Sequence, residues 1–91
     1  MITLINGDCL DVLKSFGRFD CIFADPPDGI GLGYGVYQDK MPDEVYLGRL
    51  ERWIVTFVAH AATTWISFNA RWTVDMGVIA KSITDAYGIE V

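Results

Sequence analysis

The sequence predicts an α/β fold with a mainly parallel sheet of three or four strands flanked by helices. Three observations predict it. Short apolar runs alternate with longer stretches of helical periodicity, one run is continuously apolar, and the turns between them carry Gly, Pro, Asn or Asp. Strands that alternate with helices are typical of parallel sheets, in which each crossover packs back onto the sheet. Such folds usually need a longer chain, so we expect residues 1–91 to form a single, incomplete domain.

The first elements are a short strand and a short helix. Ile2–Ile5 is an apolar run, and the pair Asn6-Gly7 ends it as a turn signal. Asp8 stands where a helix N-cap belongs, and Gly17 ends the helix that follows. The apolar stripe predicted for this helix is Leu10, Leu13 and Phe16.

The second strand is Asp20–Ala24. Its residues Cys21–Ala24 are continuously apolar, which is typical of a strand covered on both faces. Two prolines end it. The stretch Asp28–Met41 is rich in glycine and is expected to be a mobile loop without regular structure. Its segment Gly31–Gly35 imitates a glycine-rich cofactor motif, but no strand directly precedes it, so we interpret it as part of the loop.

Two longer helices and a third strand follow. Pro42 and Asp43 begin a helix with apolar residues at helical spacing, and Thr64–Phe68 is predicted to be a strand of β-branched and aromatic residues. Asn69 is expected to cap the last helix. Gly88 is expected to end it. The final residues, Ile89–Val91, are predicted to begin another strand.

The charge, the cysteines and the apolar runs of the chain exclude some classes of function. Lys and Arg number 7 against 12 Asp and Glu, a net charge of −5, which argues against a free-standing nucleic-acid binder. Cys9 and Cys21 are expected to be buried free thiols of a cytoplasmic protein. The apolar run Trp53–Phe68 is shorter than the roughly 20 residues of a membrane-spanning helix, so we predict no membrane segment. No metal site is predicted.

The most informative segment is Asp25-Pro26-Pro27-Asp28, directly after the second predicted strand. In open α/β sheets, ligands bind outside the carboxyl ends of the strands. Each proline holds the preceding residue in an extended conformation, and neither proline can continue a sheet ladder. The predicted result is a stiff loop that presents a carboxylate and backbone carbonyls to a cleft. Such acceptors suit the two hydrogens of an exocyclic amino group.

Two segments carry a family resemblance. Asn6–Leu13 (Asn-Gly-Asp-Cys-Leu-Asp-Val-Leu) and Phe19–Pro27 (Phe-Asp-Cys-Ile-Phe-Ala-Asp-Pro-Pro) resemble the start of the amino-methyltransferases of bacteria and phages. These enzymes have a Rossmann-like fold, use S-adenosylmethionine and methylate adenine N6 or cytosine N4 in DNA, often within restriction-modification systems. Their catalytic motif is Asp-Pro-Pro-Tyr. The resemblance covers at least residues 2–31 and, more loosely, extends to Asn69.

The resemblance implies roles for the matching residues. Asp25, Pro26 and Pro27 would bind the target amino group. Asp8, with Cys9 beside it, would lie at the cofactor pocket. The expected cofactor is S-adenosylmethionine and the expected substrate of the complete enzyme is DNA.

The sequence departs from the family at two points. Asp28 replaces the aromatic residue that usually stacks on the flipped base, so Tyr34, Tyr37 or Trp65 would have to provide the stacking. The family's glycine-rich cofactor motif is also missing. It would come from a missing half or from a partner chain, and we expect the 91-residue chain alone to be inactive.

Other interpretations stay open at this point. The acceptor could be RNA or a protein amide, or the chain could be a non-catalytic α/β module or a subunit of a split enzyme. Asp-Pro-Pro could be only a turn that ends a strand, and Asp8 only a helix cap. We interpret several other residues as structural: His60, the core aromatics Trp53, Trp65 and Trp72, and the solvated pair Arg49 and Arg52.

Overall fold

The computed structural model describes residues 1–28 and 41–90 in full and, between them, the backbone of residues 33–34 and 37–38. The helices are α1 (Cys9–Leu13), α2 (Asp43–His60) and α3 (Thr73–Tyr87), and a 3₁₀ turn (Ala70–Trp72) precedes α3. The strands are β1 (Phe19–Ala24), β2 (Gly33–Tyr34), β3 (Tyr37–Gln38) and β4 (Ala61–Ile66).

The central sheet consists of β1 and β4, which pair in parallel with α2 in the connection between them. The register runs from Phe19 opposite Ala61 to Ala24 opposite Ile66, so both strands end at the same edge. This arrangement confirms the α/β class and the parallel pairing. The predicted three or four strands in one sheet are not found among the described residues. The sheet has two strands, and β2 and β3 form a separate antiparallel pair.

The predicted strand Ile2–Ile5 is wrong. These residues form no strand in the described part of the chain, and Ile2 and Leu4 are almost fully exposed. A short apolar run becomes a strand only where a neighbour pairs with its backbone, and β1 pairs instead with β4. The helix that follows is confirmed but shorter than predicted, since it ends before Phe16. The Asp8 cap is also confirmed: the Leu10 amide donates to Asp8 Oδ1 at 2.9 Å.

The predicted loop Asp28–Met41 contains regular structure after all. The backbones of β2 and β3 pair with Gly33 opposite Gln38 and Tyr34 opposite Tyr37. The other residues between 29 and 40 lie outside the described part, including most of the segment Gly31–Gly35. At the carboxyl end, residues 89 and 90 form no strand, and Val91 lies outside the described residues.

The main core lies between α2, α3 and the 3₁₀ turn. Its buried members are Tyr46, Leu50, Ile54, Trp72, Ile79 and Ile83. The Gly88 end of α3 is as predicted, whereas Asn69 caps the 3₁₀ turn that precedes α3, and α3 itself begins after Trp72 without a side-chain cap. The Asn69 side chain accepts from the Arg71 amide at 2.9 Å, and Gly88 closes the helix with a φ of 66°. The left-handed conformation favours glycine because it has no Cβ.

The helices cover one face of the sheet. Burial alternates along both strands: Ile22 and Ala24 are more buried than their neighbours, and Ile66 packs against the core. On the opposite face Phe23 and Trp65 lie side by side and are 74% and 62% exposed. Three predictions are therefore wrong. The second strand is not covered on both faces, Trp65 is not a core residue, and both cysteines are exposed.

Candidate active site

The site is built where β1 and β4 end together. Because Ala24 and Ile66 are partners in the register, the next residues, Asp25 and Ser67, leave the sheet side by side. The Ser67 amide donates to the Ala24 carbonyl at 3.0 Å, which extends the ladder by one bond. The Ser67 hydroxyl donates to Asp25 Oδ1 at 2.6 Å. A short hydrogen bond to a carboxylate is charge-assisted and fixes the orientation of the acceptor.

Two buried aromatic side chains hold the loop that follows Asp25. The Tyr46 hydroxyl donates to the Pro27 carbonyl at 2.6 Å, and the Trp72 indole Nε1–H donates to the Asp28 carbonyl at 2.7 Å. The two rings stack with centroids 4.9 Å apart, and they are only 1% and 2% exposed. Two consecutive peptide units of the loop are thereby tied to the core. The stiffness predicted from the prolines has this second source.

These contacts decide which acceptors of the loop already have a donor among the described residues. The carbonyls of Pro27 and Asp28 already accept from Tyr46 and Trp72. Among residues 1–28 and 41–90, no donor pairs with Asp25 Oδ2 or the Pro26 carbonyl, and no cationic side chain forms an ion pair with Asp25. A carboxylate oxygen and a neighbouring carbonyl are therefore left in a rigid loop. Two such acceptors can bind both hydrogens of an amino group.

A groove of about 520 Å³ adjoins this loop. Its lining includes Asp25, Pro26, Pro27 and, at the start of α1, Cys9, and the rest of the lining is mostly apolar. Its volume lies within the range of small-molecule sites. The structure thus brings together four of the predicted site residues. Asp28 does not line the groove, because its backbone turns toward Trp72.

Asp8 and Cys9, the residues predicted to lie at the cofactor pocket, have surroundings that affect the chemistry of their side chains. The Asp8 carboxylate is occupied in part as the cap of α1. Cys9 is exposed as a residue, but its thiol is partly desolvated, and this desolvation, followed by the nearby Asp8 carboxylate, raises the pKa of the thiol. Cys9 therefore stays protonated at neutral pH and acts as a small, weakly polar wall of the groove rather than as a nucleophile.

The other predicted residues lie elsewhere. The side chains of Tyr34 and Tyr37 are outside the described part of the chain. Trp65 lines a different groove, of about 510 Å³, between β4 and α3. His60 Nδ1 lies 2.8 Å from the Thr56 carbonyl one helical turn away, which agrees with a structural role.

No cluster of three potential metal ligands occurs among the described residues. None of their helices has the length and apolarity needed to cross a membrane.

Sequence reasoning missed Ser67 and Tyr46. Ser67 was placed inside the predicted strand Thr64–Phe68, whereas the observed strand β4 is Ala61–Ile66 and Ser67 directly follows it. Tyr46 and Trp72 both lie on apolar stripes, and buried Tyr and Trp usually find a partner for their polar tip. Neither pattern says which carbonyl is the partner.

Together, the fold and the site define an α/β protein with a rigid acidic loop at the carboxyl ends of two parallel strands, beside a largely apolar groove. The chain is 38% identical, over 53 residues, to the Type II methyltransferase M.MjaVI of Methanocaldococcus jannaschii. The match covers 58% of this chain and 27% of that relative, so the chain spans about a quarter of its length. No protein-family model matches the chain, and no solved structure matches it significantly.

Proposed function

We propose that the chain is the catalytic-motif part of an S-adenosylmethionine-dependent DNA methyltransferase that modifies adenine N6 or cytosine N4. The observation that carries the proposal is the pair of acceptors, Asp25 Oδ2 and the Pro26 carbonyl. Neither accepts a hydrogen bond from residues 1–28 or 41–90, while the next two carbonyls of the loop are fixed by Tyr46 and Trp72. The similarity to a Type II methyltransferase supports the same reaction class.

The loop would act directly on the target amino group. Asp25 and the Pro26 carbonyl each accept one amino hydrogen, which draws the nitrogen lone pair out of conjugation with the base. The lone pair then points toward the methyl donor, and alignment supplies much of the rate enhancement. As the new N–C bond forms, the S–CH3 bond of the sulfonium would break and leave S-adenosylhomocysteine. The nitrogen gains positive charge, which the Asp25 carboxylate stabilises until one amino proton passes to solvent.

The groove beside the loop fits the methyl donor. Its volume and largely apolar lining suit a nucleoside, and Asp25, which is part of that lining, lies where the reacting groups must meet. Cys9 and the wall of β1 would contact the donor, with Asp8 at the start of α1 near its adenine. When bound, S-adenosylmethionine supplies the methyl group as a sulfonium electrophile.

Two functions of a complete enzyme would come from outside this site. The Asp28 carboxylate cannot stack on a base, so Tyr34 or Tyr37 would have to hold the extruded base. The chain carries a net charge of −5, so most of the affinity for the DNA backbone would come from a basic region elsewhere.

The test is methyl transfer by the protein isolated at its natural length, together with any chain that co-purifies. It is incubated with methyl-labelled S-adenosylmethionine and, separately, with DNA, RNA and protein acceptors. The labelled DNA is then digested to nucleosides. We expect label in N6-methyladenine or N4-methylcytosine. Label only in RNA or in a protein amide would move the substrate to that class, and no label in any acceptor would contradict the proposed function.

A second candidate, a subunit of a split methyltransferase, is favoured by the uncovered sheet face. Phe23 and Trp65 are exposed side by side on it, and a partner could cover them and extend the sheet to three or four strands. That partner would carry the glycine-rich cofactor motif and a basic surface. Co-purification with such a chain, and methyl transfer only by the mixture, would distinguish the split enzyme from a single chain.

A further inference from the structure

The Asp25 carboxylate has one conformational freedom that the loop does not remove. The contacts of Tyr46 and Trp72 fix the peptide units after Asp25, and the β1–β4 ladder fixes the backbone before it. Rotation of the carboxylate about χ2 is nevertheless broad and roughly two-fold in aspartate. Which oxygen points toward the groove therefore depends on a hydrogen bond to the carboxylate itself.

Ser67 provides that hydrogen bond. Its hydroxyl donates to Asp25 Oδ1 at 2.6 Å, and it is the side-chain donor to this carboxylate among the described residues. The position of Ser67 is itself fixed, because its amide donates to the Ala24 carbonyl at 3.0 Å, one residue before Asp25. The serine and the aspartate are thus held at both the backbone and the side chain.

We infer that Ser67 is a positioning residue of the proposed methyl transfer: it holds Oδ1 and thereby presents Oδ2 of Asp25 to the amino group. The inference rests on the proposed function and adds to it Ser67, the residue that directly follows β4. A carboxylate without this partner would sample orientations in which neither oxygen is aligned with the amino hydrogen. Misalignment lowers the rate of the chemical step rather than substrate binding.

The kinetic test compares Ser67→Ala, Ser67→Thr and the wild type, all at natural length, in steady-state methyl transfer to DNA. Ser82→Ala, an exposed serine on α3, is the control. We expect Ser67→Ala to lower kcat about ten- to a hundredfold, with KM for DNA changed less than about twofold. Ser67→Thr keeps the hydroxyl and should restore kcat to within about threefold of wild type. A Ser67→Ala variant with the wild-type kcat, or a threonine variant as slow as the alanine variant, would overturn the inference.

A structural test separates this inference from the proposed function. Crystal structures of the wild type and of Ser67→Ala should show one Asp25 carboxylate orientation in the first and several, or a rotated one, in the second. An unchanged orientation would overturn the positioning role. If the wild type transfers no methyl group to any acceptor, the proposed function fails, and the crystal structures alone still decide whether Ser67 orients Asp25.

Discussion

Replacing Trp72 with Phe tests how the core holds the candidate loop. The variant keeps an aromatic ring against Tyr46 but removes the indole N–H that donates to the Asp28 carbonyl at 2.7 Å. Leaving a half-buried carbonyl without its donor costs about 1–3 kcal/mol. The smaller ring also leaves a space in the core at a position that is 2% exposed, which adds roughly 1 kcal/mol. We therefore expect a loss of about 2–4 kcal/mol in the free energy of unfolding.

That loss is large for a chain of this size. Small domains are stable by roughly 0.05–0.15 kcal/mol per residue, which is about 5–14 kcal/mol for 91 residues, so the loss is a substantial part of the total. The assay is urea unfolding followed by far-ultraviolet circular dichroism, and the midpoint should fall by about 1–2 M. The control is Trp65→Phe, at a residue that is 62% exposed, which should change stability by less than about 0.5 kcal/mol. Equal midpoints for the two variants would refute the role given to Trp72.

The remaining predictions concern a helix end and a thiol. Gly88→Ala should destabilise the protein by about 1–2 kcal/mol, because φ is 66° there, whereas Gly77→Ala inside α3 should stabilise it by about 0.5–1 kcal/mol. Thermal unfolding checks both, and a common sign would contradict the assigned backbone conformations. The Cys9 thiol, in a Cys21→Ser background, should react with iodoacetamide more slowly in the folded than in the urea-unfolded protein at pH 8, measured by mass spectrometry. Because the pKa of Cys9 is raised on folding, its contribution to stability is present below the pKa of the unfolded thiol and is lost as pH rises through that of the folded thiol. Equal alkylation rates would contradict the partial desolvation of the thiol.

The elements that the sequence predicts well are those with strong local signals. Asp8, Asn69 and Gly88 act as caps through bonds and dihedral angles within a few residues of their own positions. The helix α2 follows from the spacing of its apolar residues, and the end of β1 at Ala24 follows from the two prolines after Asp25. Each of these depends on chemistry that is contained in a short stretch of chain.

The parts that the sequence does not predict depend on long-range contacts. Ile2–Ile5 has the composition of a strand, but a strand forms only where its backbone pairs with another strand. In the described part of the chain β1 pairs with β4 and not with Ile2–Ile5. Trp65 is a large aromatic residue of the kind that usually packs in a core, yet it is 62% exposed beside Phe23 in the sheet. Ser67 contacts Asp25, which is 42 positions earlier in the chain, and Trp72 contacts Asp28, which is 44 positions earlier. No local sequence pattern reveals contacts over such separations.

The central claim is that the Asp25 carboxylate acts on the amino group that receives the methyl group. The most direct measurement compares the initial rate of labelled methyl transfer to DNA by Asp25→Ala and by Asp20→Ala, an exposed aspartate on β1, with both proteins at natural length. We predict that Asp25→Ala lowers the rate at least about a thousandfold while circular dichroism shows the same fold, and that Asp20→Ala stays within about threefold of wild type. A folded Asp25→Ala protein that methylates DNA at the wild-type rate would contradict the claim.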